Sequence, residues 1–316
     1  MLHTVLDGLL DRTVVAGYTR VGLAVREKFW PALDPDALAG STVLVTGANS
    51  GIGKAIAAGV AGLGATVLLT VRDKARGEAA RADILGAVPG ADVRVERCDV
   101  SDLPGVRTFA ADLVTRVPRL DAVIHNAGVM PPERTRTEQG HELSLATHVL
   151  GPVLLTELLL PSLATSPDPR VVLMSSGGMY TQRLPADDIE YTSGRYRGAV
   201  AYARSKRIQV ALTPLLADRW ATRSVMVAAM HPGWADTPGV ATSLPAFRRL
   251  TGPALRTPEQ AADTAIWLTA TLPTPESGRF WHDRAVRPVH YLPSTRYSDA
   301  ELQRVWHYCL GAVGLS

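Results

Sequence analysis

The sequence predicts an α/β fold in which a doubly wound parallel sheet carries helices on both faces, preceded by a helical extension. Three observations predict it. Val43, Leu44 and Val45 form a short apolar run suited to a strand buried on both sides. Gly47, Gly51 and Gly53 follow at once as Gly-x-x-x-Gly-x-Gly. Residues 54–63 are then rich in Ala, Ile and Val, as a helix packed on a sheet should be. Strand, glycine turn and helix together form a nucleotide-binding arrangement. Glycines let the backbone approach a pyrophosphate, and the free N–H groups at the helix N-terminus favour its charge.

Composition narrows the classes. The chain has 316 residues, is 46% hydrophobic and 20% charged, and carries a net charge of +3, the profile of a globular protein with a large core. Its basic residues are scattered without a Lys/Arg run, which argues against nucleic acid as a partner. Cys98 and Cys309 are the only cysteines, which suggests reduced cytoplasmic thiols and neither a disulfide framework nor a metal site.

Residues 1–40 form the extension. Leu6, Leu10, Val14, Tyr18, Val21, Val25 and Phe29 recur at helical spacing and mark one face. Asp7, Asp11, Arg12, Arg20 and Glu27 interrupt any apolar run long enough for a transmembrane span or signal peptide. Four basic residues against five acidic ones offer little to anionic lipid, so packing on the protein or a second copy is favoured over peripheral membrane contact. Residues 41–316 are expected to form one domain.

Within that domain, Thr46-Gly47-Ala48-Asn49-Ser50-Gly51-Ile52-Gly53 resembles the Thr-Gly-x-x-x-Gly-Ile-Gly motif of the short-chain dehydrogenase/reductase family. The next strand is expected at 66–71. An acid at its end would bind the ribose 2′-hydroxyl of NAD; Val71 stands where NAD-dependent relatives place one, and Arg72 follows. A guanidinium there pairs with a 2′-phosphate, which favours NADP(H) over NAD(H). Asp73 suits the cap of the following helix. A third strand is expected at 93–98, and Asp99 matches the family residue that contacts adenine. A fourth, at 120–124, runs into His125-Asn126-Ala127-Gly128, where Asn126, Ala127 and Gly128 match the family's Asn-Asn-Ala-Gly and His125 departs from it.

Residues 137–163 read as a long helix, apolar in its second half. The resemblance places an active-site Asn three residues before Gly151, and this chain has His148 there. It either serves through its carbonyl, titrates in its own right, or packs in the core. The fifth strand, 170–174, leads into Ser175-Ser176. Tyr202 and Lys206 lie four residues apart, on one face of a helix, so an ammonium is expected to favour the phenolate and lower the tyrosine pKa. Such a tyrosine exchanges a proton with a carbonyl or alcohol while hydride moves at nicotinamide. The resemblance makes Ser176 the residue that orients the substrate oxygen. Residues 181–197, between serine and tyrosine, resemble the longer loop of retinol-dehydrogenase-like relatives.

The sixth strand, 224–230, precedes Pro232, Gly233 and Thr237, which match family positions at the nicotinamide carboxamide. Residues 231–256 are expected to form a substrate lid, and Trp234, Leu244, Phe247 and Leu250 suggest a lipophilic substrate. A last strand at 278–281 and capping boxes at Thr257 and Ser298, each opening a helix, close the domain. The resemblance implies a Rossmann-type sheet of seven parallel strands and an NADP(H)-dependent oxidoreductase acting on a small-molecule carbonyl or alcohol. A homo-oligomer is expected. The competing reading is a cofactor-binding scaffold or redox sensor without turnover.

Overall fold

The computed structural model describes residues 7, 8, 10, 11, 13, 17–236, 249 and 251–316. Its strands are β1 (Thr42–Thr46), β2 (Thr66–Val71), β3 (Val93–Arg97), β4 (Ala122–His125), β5 (Arg170–Met174), β6 (Met226–Met230), β7 (Arg279–His282) and β8 (Ala285–Val286). They lie side by side in the order β3-β2-β1-β4-β5-β6-β7-β8. β1 to β7 are parallel, and the order reverses direction between β1 and β4, where the crevice of such a sheet opens.

The eighth strand departs from the expected seven. Asp283 and Arg284 adopt φ +51° and +55°, which turns the chain through two residues and lays β8 antiparallel on β7. Asp suits the first position of such a turn, whereas Arg is an unusual choice for the second. Both are held by ion pairs, Asp283 to Arg256 at 2.6 Å and Arg284 to Asp263 at 2.6 Å.

The helices are α1 (Arg20–Arg26), α2 (Gly51–Gly62), α3 (Lys74–Ala87), α4 (Leu103–Arg116), α5 (Gly151–Leu163), α6 (Gly198–Trp220), α7 (Pro258–Ala270) and α8 (Asp299–Ala312). Alternation within β1 divides the core between the two faces. Val43 and Val45 pack with Ile56 and Val60 of α2, Ile84 of α3 and Leu268 of α7. Leu44 packs with Val106 and Leu113 of α4, Leu154 and Leu159 of α5, Leu212 of α6 and Val305 of α8. Both expected capping boxes are formed, at Thr257 with Gln260 and at Ser298 with Glu301.

Two helical expectations change. The region expected as one helix over 137–163 begins at Leu143, passes through a π-helical stretch at Ala146–Leu150, and continues as α5. Pro152 explains the stretch, because it offers no N–H to the carbonyl of His148 and its ring crowds that oxygen. The stretch Leu143–Leu163 is long and apolar enough to cross a membrane by composition, yet it is mostly buried in the core. The extension is also not one helix. Thr19 is extended, with ψ 174°, and α1 starts only after it. Tyr18, Leu23 and Arg26 point inward, whereas Val21 and Phe29 of the expected apolar face are exposed. Leu6 and Val14 lie outside the described residues.

Candidate active site

The carboxyl ends of β1 to β4 open onto a cleft of about 400 Å³. It is lined by Gly47, Asn49, Ser50, Gly51, Ile52 and Gly53, by Arg72, Asp99, Asn126, Ala127 and Gly128, and by Tyr202. Glycine is required here by space. A Cβ on Gly47, whose φ is +65°, would stand 2.7 Å from Cα of Ala127. One on Gly53 would meet the Asn126 amide at 2.3 Å. The loop therefore lies flat against the turn after β4. Asn126 fastens it, donating from Nδ2 to the carbonyl of Thr46 at 3.0 Å, and Oγ1 of Thr46 accepts N–H bonds from Asn126 and Ala127, both at 3.1 Å.

Ser50 precedes α2 without a side-chain cap on the helix. The first-turn N–H groups of a twelve-residue helix are thus left facing the cleft, where a pyrophosphate fits their charge. At the far end Arg72 and Arg76 both reach the cleft, and among the described residues neither forms an ion pair. Arg76 was not singled out from the sequence, although it stands four residues after Arg72. Asp73 caps α3, accepting from the N–H of Arg76 at 3.2 Å. Asp99 accepts from both N–H and hydroxyl of Ser101, at 2.9 and 2.7 Å, which fixes its carboxylate at the cleft wall. The glycine cradle, the open helix end and the cationic far end fit a dinucleotide. Cys98, Val129, Met130, Leu143 and Thr147 also line the cleft and carried no motif signal.

Tyr202 and Lys206 project from α6 as one face, and the ammonium of Lys206 lies 5.5 Å from the centre of the Tyr202 ring. Ser176 lies close enough to the Tyr202 phenol to favour its ionised form, so serine, tyrosine and lysine do come together. Ser176 also accepts from the N–H of Gly178 at 3.2 Å, which caps the 3-10 turn Gly177–Thr181. Ser175 is buried and donates to the carbonyl of Lys206 at 3.1 Å.

The electrostatics differ from expectation in one direction. Burial raises the Tyr202 phenol above its ordinary value, and the nearby Ser176 side chain only partly offsets this. Lys206 is itself buried, its Nζ donating to the carbonyl of Met174 at 2.6 Å, and burial lowers its pKa to about 7. Two ionisable groups removed from water both favour their neutral forms, so the lysine does not lower the phenol in the protein alone.

His148 is fully buried, and its pKa lies well below the ordinary value, first through burial and then through the charge of Lys206. Nε2 accepts from the N–H of Val129 at 3.0 Å. Ser205 donates its proton to the carbonyl of Tyr202, so it accepts from Nδ1–H of His148, at 2.7 Å. Both ring nitrogens are engaged, and the ring is a neutral strut between the turn after β4 and α6. Its carbonyl accepts from Nε2 of Gln209 at 2.7 Å. Titration of His148 near neutral pH does not fit these surroundings.

Pro232 and Gly233 follow β6, and Gly233, with φ +76°, lies against the guanidinium of Arg256. Trp234 is partly buried against the core and donates its N–H to the carbonyl of Tyr18 at 2.8 Å. Thr237, and Leu244, Phe247 and Leu250 of the expected lid, lie outside the described residues.

Comparison with known proteins agrees with this geometry. A short chain dehydrogenase family model matches residues 41–246. Dehydrogenase/reductase SDR family member 12 of Bos taurus is 41% identical over 265 residues, covering 83% of this chain and 82% of the relative. Retinol dehydrogenase 14 of Mus musculus is 36% identical over 302 residues, covering 89% of this chain and 88% of the relative. Among solved structures, an uncharacterised protein from Mycobacterium paratuberculosis matches with a TM-score of 0.71 and 28% identity, over 91% of this chain and 98% of that one. One from Beutenbergia cavernae, described as an NAD(P)-dependent gluconate 5-dehydrogenase with NADP bound at low occupancy, matches with a TM-score of 0.63 and 28% identity, over 78% and 96%. Sheet order, glycine cradle and the Ser–Tyr–Lys grouping thus converge with these likenesses: the chain belongs to the short-chain dehydrogenase/reductase family, close to its member 12, and is an NAD(P)-dependent oxidoreductase of carbonyl/alcohol pairs.

Proposed function

We propose that this enzyme prefers NADP(H) and interconverts a lipophilic carbonyl compound and its alcohol, with Tyr202 as the acid/base. The observation that carries the reading is the meeting of Tyr202, Ser176 and Lys206 beside a cleft whose far end presents Arg72 and Arg76. The cofactor, when bound, supplies or accepts hydride at its nicotinamide. Every other task falls to the chain. The glycine turn and the N-terminus of α2 hold the pyrophosphate, with Asp99 and Asn126–Gly128 along the walls. Arg72, helped by Arg76, pairs with the 2′-phosphate. Ser176 donates to the substrate oxygen and so orients the carbonyl. In reduction Tyr202 gives its proton to that oxygen as the carbon gains hydride; in oxidation the same proton returns to Tyr202. Lys206 holds the ribose and, where it is charged, stabilises the phenolate left behind.

Pro232 and Gly233 support the nicotinamide, with Thr237 assigned by motif alone. His148 acts as a positioning residue for Val129 and α6 through its ring. The lipophilic character rests on Trp234, on Met130 and Leu143 in the cleft lining, and on the likeness to a retinol dehydrogenase. Residues 1–40 are read as a packed element, because Asp7, Asp11 and Arg26 are spent in ion pairs with the domain. Liposome sedimentation with and without those residues checks this; the full chain is expected in the supernatant.

The decisive test is NADPH and NADH consumption over a panel of aldehydes, ketones and quinones, repeated with Tyr202→Phe. The variant should bind NADPH and lose turnover by at least about a hundredfold. Unchanged turnover would sink the mechanism. Tight NADPH binding with no oxidation across the panel by the unaltered chain would favour the scaffold reading.

A further inference from the structure

One residue of the N-terminal extension touches both walls of the site. The ring of Tyr18 is 2% exposed and fills the space beside Gly177, where a Cβ would stand 2.7 Å from its Cε2. Gly177 is the residue after Ser176. The same ring meets His231, centre to centre at 4.4 Å, and His282 at 5.0 Å. His231 is the residue before Pro232. The Tyr18 carbonyl accepts from the N–H of Trp234 at 2.8 Å and lies 2.7 Å from where a Gly233 Cβ would be. The turn carrying Ser176 and the turn carrying Pro232 and Gly233 are therefore both shaped against a single residue from outside the sheet, the first by its ring and the second by its carbonyl and, through His231, its ring.

Tyr18 is itself held from both sides along the backbone. The carbonyl of Gly17 accepts from Arg256 at 3.1 Å and from Arg26 at 2.9 Å, and that of Thr19 accepts from Arg256 at 3.3 Å. Asp283, in the β7–β8 turn, receives Arg256 through both carboxylate oxygens, at 2.6 and 2.8 Å, and Arg26 at 2.6 Å. Arg256 is 1% exposed, and its N–H and carbonyl pair with Trp234 and Asp236, at 2.7 and 2.9 Å. The same arginine thus fixes the extension and the returning end of the segment that follows β6. A packed ring next to backbone allows little relaxation, so a shift of the extension is transmitted to both turns.

We propose that Tyr18 is a positioning residue of the active site, setting the relative placement of Ser176 and the nicotinamide-side turn, so that the extension forms part of the working site. The proposal rests on the carbonyl/alcohol activity proposed above. It also makes the extension a structural partner of the reacting end of the cleft.

The test uses the full chain with Tyr18→Ala, Tyr18→Phe, Gly177→Ala, and Tyr18→Ala combined with Gly177→Ala. Two readouts are taken at a temperature where circular dichroism shows each variant folded: the Kd and emission of bound NADPH, and kcat per cofactor-binding site. Tyr18→Ala should lower kcat by about tenfold to a hundredfold and alter the emission of the bound nicotinamide, with Kd changed by less than about threefold. Tyr18→Phe should restore both. Gly177→Ala should also lower kcat, and its effect should shrink once Tyr18→Ala has opened the space. If Tyr18→Ala does not fold, Tyr18→Leu keeps the apolar bulk and puts the same question to the ring. A folded Tyr18→Ala or Tyr18→Leu variant with kcat and nicotinamide emission within about twofold of the unaltered chain would overturn the proposal. If the unaltered chain reduces no carbonyl, the proposed activity has failed, and the nicotinamide emission still decides: altered emission supports the positioning role and unchanged emission overturns it.

Discussion

Arg72 shows what a single residue can decide. It follows the last residue of β2, is exposed at the cleft mouth, and has Arg76 four residues on. A charge-assisted hydrogen bond to phosphate contributes about 1.5–3 kcal/mol, or roughly tenfold to a hundredfold in preference. Arg72→Asp should therefore move the NADPH/NADH ratio of kcat/KM toward NADH by about that factor, and adding Arg76→Ala should move it further. An unchanged ratio would place the phosphate elsewhere. Residue identity and strand register made this position legible without coordinates. The electrostatics of Tyr202 were not legible in the same way. An i, i+4 lysine suggested a lowered phenol pKa, but the sign depends on how far both groups are withdrawn from water, and sequence spacing carries no measure of that.

At the scale of elements, the π-helical stretch is the feature that pattern reading passed over. Pro152 and the apolar positions after it suit the first turn of an ordinary helix, so nothing in the periodicity marks a change of winding. Close packing demands glycine where that stretch ends: a Cβ on Gly151 would stand 1.9 Å from the carbonyl of Val100. Gly151→Ala should cost more than about 2 kcal/mol, because backbone lies on both sides of the contact and neither can yield. Urea unfolding followed by circular dichroism measures this; a midpoint equal to that of the unaltered chain would mean the helix can shift away from β3. The strands were more legible, since apolar runs bounded by glycine and proline mark them locally. Their ends moved by one or two residues, and β8 was missed because Arg284 stands where the usual Asp-Gly turn has its glycine. The ion pairs that hold it come from distant parts of the chain.

Across the described residues of the whole molecule, four histidines are buried and neutral. Burial lowers His125 to about 3 and His282 to about 4, and His148 and His231 also fall well below the ordinary value. Each has a folded-state pKa below its unfolded one, so the unfolded chain takes up protons first as the solution is acidified. The stability is complete above the unfolded value near 6.5 and is lost as pH falls toward the folded values, by about 1.4 kcal/mol per pH unit for each histidine. Unfolding midpoints should fall steeply below about pH 6.5, with a slope of more than one proton, while above pH 7 the lowered pKa of Lys206 leaves only a shallower rise with pH. A flat profile down to pH 5 would mean that these side chains reach water in the folded protein. Two aspartates where the extension meets the domain act lower: Asp283 and Asp7 are held below the usual carboxylate range, Asp283 by His282 and Arg256, Asp7 by Arg287 and Arg26, both against the effect of burial, and they add acid sensitivity only under pH 4.

By itself the sequence determined the fold class, the parallel sheet, the glycine cradle and the Tyr202–Lys206 pair. Each of these is written in a local pattern: apolar runs, glycine spacing, a four-residue helical step. Tertiary structure alone decided which way the buried charges shift, that His148 is a neutral strut, that the chain turns back into β8, and that Tyr18 lies between the serine turn and the turn after β6. Those outcomes depend on desolvation and on contacts between segments well separated along the chain, which no local pattern encodes.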